Sequence, residues 1–234
     1  MELSIIGHLA ELRKRIIFSL LFLLLAIGIS SPFIEAILEL LRRPANGVID
    51  ELAFFSPQEV AVVYIKIAIF SGIIISLPFL LYQAWRFVLP ALEGGQRRHC
   101  FGFVFSASLA FILGASFAYF YLLPLSLKFL LSLGGSDLRP VISLSKYLSF
   151  VLALILGCAL VFQMPVLIWM FSRLRLITPR MLREKRKYAI ALILITAAII
   201  TPTTDPFNMF LLAVPMLILY EISIGIAYFS RRNR

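Results

Sequence analysis

Residues 7–29 read GHLAELRKRIIFSLLFLLLAIGI, a short charged segment followed by an apolar run that carries no charge at all. From Ile16 the run extends to Phe33, long enough at about 1.5 Å per residue to cross most of a bilayer's hydrocarbon core. It is too long for a removable signal peptide and lacks a small-residue cleavage site, so it reads as an anchor. Arg13, Lys14 and Arg15 are the basic residues that such a border attracts. Glu11 is not. It stands four residues before Arg15 on the same helical face, where an intrahelical ion pair is the plain explanation. The sharper one is a carboxylate waiting for a cation from another molecule.

The rest of the chain repeats this pattern. Of its 234 residues, 61% are hydrophobic and 15% charged, against about 45–50% apolar and about 25% charged in soluble domains. Spans are predicted at 16–33, 60–85, 101–125, 144–171, 188–201 and 207–229. Length assigns them to helix, since uniformly apolar runs carry no usable period. The expected fold is an all-α polytopic membrane protein, a single six-span domain over residues 1–234 with both termini on one face. Sixteen Lys and Arg fall on that face; only Arg42, Arg43, Lys128, Arg139 and Lys146 fall on the other. The termini are therefore expected in the cytoplasm. Orientation explains the net charge of +10 better than a nucleic-acid partner does.

On the outer face, IEAILELL at 34–41 reads as a short interfacial helix, apolar at helical spacing with Glu35 and Glu39 between. The second outer loop, FLLSLGGSDLRPVISLS at 129–145, has breaks at Gly134, Gly135 and Pro140, and the two loops together would roof the bundle. Pro78, Pro165 and Pro215 lie inside spans and are expected to kink or break them, bending the bundle toward a concave shape. Ser106, Ala110, Gly114 and Ala118 recur every four residues, the spacing that lets helices approach closely. The fifth span has about 14 residues, or ~21 Å, and the sixth has a similar uncharged stretch up to Tyr220. Tilting cannot lengthen either, so the bilayer is expected to thin beside them, or water to enter from the ends. Cys100 and Cys158 sit at depths too different for the ~7 Å reach of a disulfide and read as packing residues.

Polar groups within the spans are the candidates for function. Gln163 precedes Pro165 in the fourth span, where lipid offers an amide no partner. It either bonds carbonyls freed at the proline or faces a groove that admits a polar partner. Glu221 lies near the cytoplasmic end of the last span, and Lys66 is close enough to the outer face to snorkel. Enzyme motifs are absent: the chain has no HExxH, GxSxG or P-loop, and His8 and His99 both sit at the membrane boundary. No cofactor or metal is expected.

Several phrases carry a resemblance. HLAELRKR at 8–15, FSPQE at 55–59, LPFLLYQAWRFVLPAL at 77–92 and QRR at 96–98 resemble the TatC family of the twin-arginine protein translocase. FAYFYLLP at 117–124, SKYLSFVLAL at 145–154, FQMP at 162–165, TPRMLREKRKY at 178–188 and ITPTTDPFN at 200–208 continue it, in order, along essentially the whole chain. The resemblance implies a receptor for signal peptides with paired arginines that nucleates a translocon for folded proteins, driven by the proton-motive force. It implies partners of the small single-span TatA and TatB type, self-association in the complex, contact with membrane lipid, and residence in a bacterial or archaeal cytoplasmic membrane or its organellar counterpart.

The resemblance also implies a site. The family's N-terminal glutamate maps onto Glu11, within a motif that includes Arg13. Its second glutamate falls in the pattern PGLYxxERR, whose counterpart here is PALEGGQRR, so the acid is replaced by Gln96. Glu93, three residues earlier, is our candidate for the missing charge. Phe87 and Pro90 match residues at the entrance of the same loop. Gln163 stands where the family often has an acid, and Thr201, Asn208 and Met209 match a polar region linked to the single-span partners. Ser56, Pro57 and Asp205 match outer-loop structural positions. The competing reading is a secondary transporter or channel for a small solute, which calls for paired broken helices and an ionisable midplane cluster.

Overall fold

The computed structural model describes residues 5–45, 49, 52–88, 100–134, 141–174, 176–201 and 205–232. They form ten helices and one two-residue strand pair: α1 Ile5–Ser30, α2 Ile34–Arg42, β1 Leu52–Ala53, α3 Pro57–Val88, α4 Cys100–Phe117, α5 Leu123–Ser132, β2 Ile142–Ser143, α6 Leu144–Val161, α7 Met164–Arg173, α8 Pro179–Glu184, α9 Arg186–Ile200 and α10 Pro206–Arg232. Five stretches are long and apolar enough to cross a membrane, at 9–45, 57–87, 101–132, 144–173 and 206–229. The remaining predicted span corresponds to α9, whose 15 residues measure about 22 Å. The chain divides into two compact units, residues 1–38 with 64–109, and residues 39–63 with 110–234.

In the first unit α1 packs on α3 with almost nothing between their backbones. A Cβ added at Gly72 would lie 2.4 Å from Ile27 Cγ1 and 3.1 Å from its backbone nitrogen. The Ser30 hydroxyl donates to Ile27 O at 2.9 Å and to Ala68 O at 3.4 Å, and the Phe22 and Phe79 rings stack at 4.3 Å. Trp85, 1% exposed, stacks on Phe103 at 4.2 Å and ties the end of α3 to the start of α4.

The second unit is organised by departures from regular helix. A π-helical turn over Ala118–Leu122 joins α4 to α5, with the Leu123 N–H reaching back to Ala118 O. The wider turn relieves the ring of Pro124, which would otherwise press on the carbonyl four residues before it. The helix then runs to Ser132 rather than ending at 125. Lys128 is exposed, so its charge never enters the core and gives no reason to stop. The fourth span breaks at Phe162 and Gln163, ahead of Pro165 in the first turn of α7. Pro78 and Pro215 break nothing: α3 and α10 run on through them.

The small-residue stripe differs from the sequence expectation. The buried face of α4 and the π turn is Ala107, Phe111, Gly114, Ala118 and Leu122, whereas Ser106 is exposed. A strict four-residue repeat drifts off a face that turns every 3.6 residues. At Gly114 the contact is as close as expected: an added Cβ would stand 2.8 Å from Ala159 Cα and from Phe162. Cys158 is a free, buried thiol, while the Cys100 side chain lies outside the described residues.

The two loops expected on the outer face are joined within the second unit. α2 forms where IEAILELL predicts it, and its last-turn carbonyls are taken by tyrosines, Tyr119 Oη donating to Leu40 O at 2.7 Å and Tyr147 Oη to Leu41 O at 2.8 Å. Those carbonyls would otherwise be orphans of the helix end. β1 pairs parallel with β2, Leu52 opposite Ile142 and Ala53 opposite Ser143. Beside them the Glu59 carboxylate accepts from Phe55 N–H at 2.8 Å, from Ser145 N–H at 2.9 Å and from the Ser143 hydroxyl. One side chain thus caps the start of α3 and the start of α6 together. Glu59→Ala is expected to lower the melting temperature in detergent and to open the loops to limited proteolysis, with Glu59→Gln intermediate. Wild-type protease resistance in the alanine variant would show that the strand pair holds the loops unaided.

Candidate functional site

The face of α1 that begins at Glu11 continues through Lys14, Arg15 and Phe18, at the i, i+3, i+4 and i+7 positions of one helical stripe. Gln83 and Arg86, three apart near the end of α3, stand against it, and the six residues line a cavity of about 460 Å³ in the first unit. Glu11 Oε1 accepts from Arg15 Nε at 3.2 Å and also from its terminal Nη2. Arg15 Nη1 reaches Gln83 Oε1 at 3.4 Å. The pair is partly sheltered, with the Arg15 side chain 14% and the Glu11 side chain 28% exposed. Lys14 lies 6.0 Å over the Phe18 ring, and Arg86 is exposed.

Both readings of Glu11 therefore have a physical basis. The intrahelical pair forms, and it forms at the wall of a polar cavity. A carboxylate 28% exposed is reachable from the cavity, and the planar guanidinium is the group that fits its two oxygens at once. Among the described residues the cavity holds one acid against three cations, so an incoming cation must exchange with Arg15 or bring Glu11 help. Glu93, Gln96 and Pro90, the loop residues named for that help, lie outside the described residues. Phe87 follows Arg86 in the last turn of α3 and is half-buried; Arg13 is exposed. Gln83 was missed from sequence. Its signal was an amide near the end of an apolar span, the same signal that singled out Gln163.

The second group of predicted residues sits in the second unit. Asp205 caps α10: its carboxylate accepts from Asn208 N–H at 2.8 Å and from Asn208 Nδ2 at 3.1 Å, with Pro206 in the first helical position, where no N–H is missed. Thr201 closes α9, its hydroxyl donating to Ala197 O at 2.9 Å. Asn208 is 1%, Thr201 6% and Gln163 8% exposed, and Met209 is half-buried. Gln163 belongs to the α6–α7 turn, where its N–H donates to Leu160 O and its carbonyl accepts from Leu167 N–H, at 3.0 and 2.9 Å. Ser56 and Pro57 are exposed at the N-terminus of α3. Between the start of α9 and the second half of α10, Arg186 Nη2 pairs with Glu221 Oε2 at 2.6 Å, and Tyr220 Oη donates to Leu182 O of α8 at 2.7 Å. Glu221 thus meets its counter-charge at the start of α9, with both side chains about half exposed.

Known proteins are similar to this chain in sequence and fold. The model of the TatC family, Sec-independent protein translocase protein, matches residues 7–215. The Sec-independent protein translocase protein TatC of Aquifex aeolicus (strain VF5) is 40% identical over 231 residues, covering 97% of this chain and 95% of that protein. Its namesake in Koribacter versatilis (strain Ellin345) is 35% identical over 242 residues, 99% of this chain and 89% of that one. A crystal structure described as the twin-arginine translocase receptor TatC superposes with a TM-score of 0.86 at 39% identity, covering 96% of this chain and 99% of that one. With sequence and fold agreeing along nearly its whole length, the chain belongs to the TatC family of multi-span, non-enzymatic membrane proteins of Sec-independent protein translocation.

Proposed function

We propose that this protein is the receptor subunit of a twin-arginine translocase, binding signal peptides with paired arginines at the cavity around Glu11. The observation that carries the reading is a partly sheltered carboxylate in a polar cavity at the charged border of the first span. Glu93 and Gln96, in the loop after α3, supply the second half of the site, with Phe87, Pro90 and Arg13 at its edges. The residues grouped at the α9–α10 junction, Thr201, Asn208 and Met209, with Gln163 on the fourth span, serve the small single-span partners of the TatA and TatB type. The termini face the cytoplasm of a bacterial or archaeal cell, six spans form one membrane domain, and transport draws on the proton-motive force.

The test is site-specific photocrosslinking in membranes from a probe at residue 14 or 83 to a folded precursor. The twin-arginine precursor is expected to crosslink, and its Lys-Lys variant to lose the product, because an ammonium cannot make the bidentate contact of a guanidinium. Equal crosslinking of both would refute a guanidinium-reading site. The transporter alternative gains nothing from the geometry. The intramembrane Gln163 is buried in a helix break, and Glu221 is paired and half-exposed.

A further inference from the structure

One guanidinium already sits in the cavity at the charged end of α1, and its bonds show what such a group meets there. Arg15 places all three of its guanidinium nitrogens on acceptors, Nε and Nη2 on Glu11 Oε1 and Nη1 on Gln83 Oε1 at 3.4 Å. The other two cations of the cavity have contacts of their own. Lys14 lies 6.0 Å over the Phe18 ring, and Arg86 Nη1 reaches Tyr82 Oη at 3.5 Å. The seat of Arg15 on Glu11 is not the strongest one available. Both bonds converge on a single oxygen, whereas the favoured guanidinium–carboxylate geometry is a fork that uses two. Arg15 approaches from the same helix, four residues on; an arginine of another chain has no such tether.

The frame around this seat is fixed by packing. α1 and α3 meet along one antiparallel seam, in which Ile27 packs on Gly72, Phe22 stacks on Phe79 and Arg15 reaches Gln83. Gln83 lies one turn beyond Phe79 on the same face, so the contacts that place Phe79 also place the amide. Trp85, 1% exposed and stacked on Phe103, anchors the end of the helix. Gln83 therefore stays in position when Arg15 leaves. Its carbonyl adds an acceptor to the seat without adding charge. That carbonyl and the Glu11 carboxylate are met by different nitrogens of one planar group, a span that the single nitrogen of an ammonium lacks.

We propose that Gln83 is the second acceptor of the arginine site and determines its specificity, and that Arg15 is an internal stand-in displaced when a signal-peptide arginine takes the same seat. The inference rests on the receptor reading of the Glu11 cavity. It gives that cavity one arginine of the pair, because a single carboxylate lines it among the described residues. Two signatures follow. Arg15 competes equally with every entrant, so it sets affinity and not selectivity. Gln83 bonds a guanidinium and not an ammonium, so it sets selectivity.

The test measures anisotropy of a labelled twin-arginine peptide with the full-length protein in vesicles, with the Lys-Lys peptide as competitor and a melting curve for each variant. Arg15→Ala, or Arg15→Gln if the first misfolds, is expected to tighten both peptides by about two- to fivefold, the size of a partly exposed ion pair. Gln83→Met, or Gln83→Leu in its place, is expected to lower the ratio of twin-arginine to Lys-Lys affinity about tenfold, the loss of one hydrogen bond to a charged group. That ratio should fall alike with Arg15 present or replaced. The absolute loss for the twin-arginine peptide should be larger in the Arg15→Ala background, where no stand-in is loosened in compensation. A general structural defect would weaken both peptides together and leave the ratio unchanged, which overturns the role of Gln83. A folded Arg15→Ala protein that binds no more tightly overturns the stand-in. Glu11→Ala separates the two levels of failure. If it weakens the twin-arginine peptide while Gln83→Met leaves the ratio unchanged, the receptor site stands and this inference falls; if it weakens neither peptide, both fall.

Discussion

Glu11→Ala is expected to weaken binding of a twin-arginine peptide about 10- to 100-fold, the loss of one or two hydrogen bonds to a charged group at about 1.5–3 kcal/mol. Arg15 makes the prediction specific. In the unliganded protein it occupies Glu11 and touches Gln83, so part of the peptide's gain is offset by displacing it. Removing Glu93 as well should deepen the loss, and Gln96→Glu should preserve or strengthen binding by restoring an acid to the loop. The measurement is anisotropy of a labelled peptide with protein in vesicles, against a Lys-Lys control and with a melting curve for each variant. Undiminished affinity in a folded Glu11→Ala/Glu93→Ala protein would remove the site from this cavity.

The second large effect concerns stability. Gly114→Val is expected to cost about 1–3 kcal/mol, the range for overpacking a close-packed site, and to lower the melting temperature by several degrees. The reason is what the new atoms meet. At Gly114 they meet the backbone of Ala159 as well as Phe162, and a backbone cannot swing aside as a side chain does. Gly225→Ala is the contrast: nothing lies within 4 Å of the added Cβ, and replacing a mid-helix glycine there should be neutral or stabilising by up to about 1 kcal/mol. Equal melting of the two variants would show that α4 and α6 are less closely apposed than the geometry indicates.

Apolar length identified five crossing segments directly, and the short α9 emerged where a 14-residue stretch was read. Helix ends were harder. The sequence reading stopped the third span near the last uninterrupted apolar residues, but an exposed lysine is compatible with another turn, and α5 continues to Ser132. Proline was only half informative, since Pro165 ends a helix while Pro78 and Pro215 do not. A span's other hydrogen bonds and its packed neighbours decide whether one missing N–H breaks it. The Glu11–Arg15 pair was legible because i, i+4 spacing is local. Gln83, 68 residues from Arg15, and the Glu59 cap, 84 residues from Ser143, depend on distant segments meeting, which no window of sequence contains.

The shortness of α9 has an electrical consequence. A membrane potential is a fixed drop, and the work on a charge crossing it is about 2.3 kcal/mol per 100 mV whatever the path length. Where the hydrocarbon contracts to match the 15 residues of α9, the same drop falls across about 22 Å instead of ~30 Å. The gradient beside that helix is then steeper by about a third. A charged group entering there feels a stronger force over a shorter path, and the low-dielectric barrier that opposes its entry is thinner in the same place. Where thinning occurs, the stretch of bilayer in which voltage pulls hardest is also the one where the insulator is weakest.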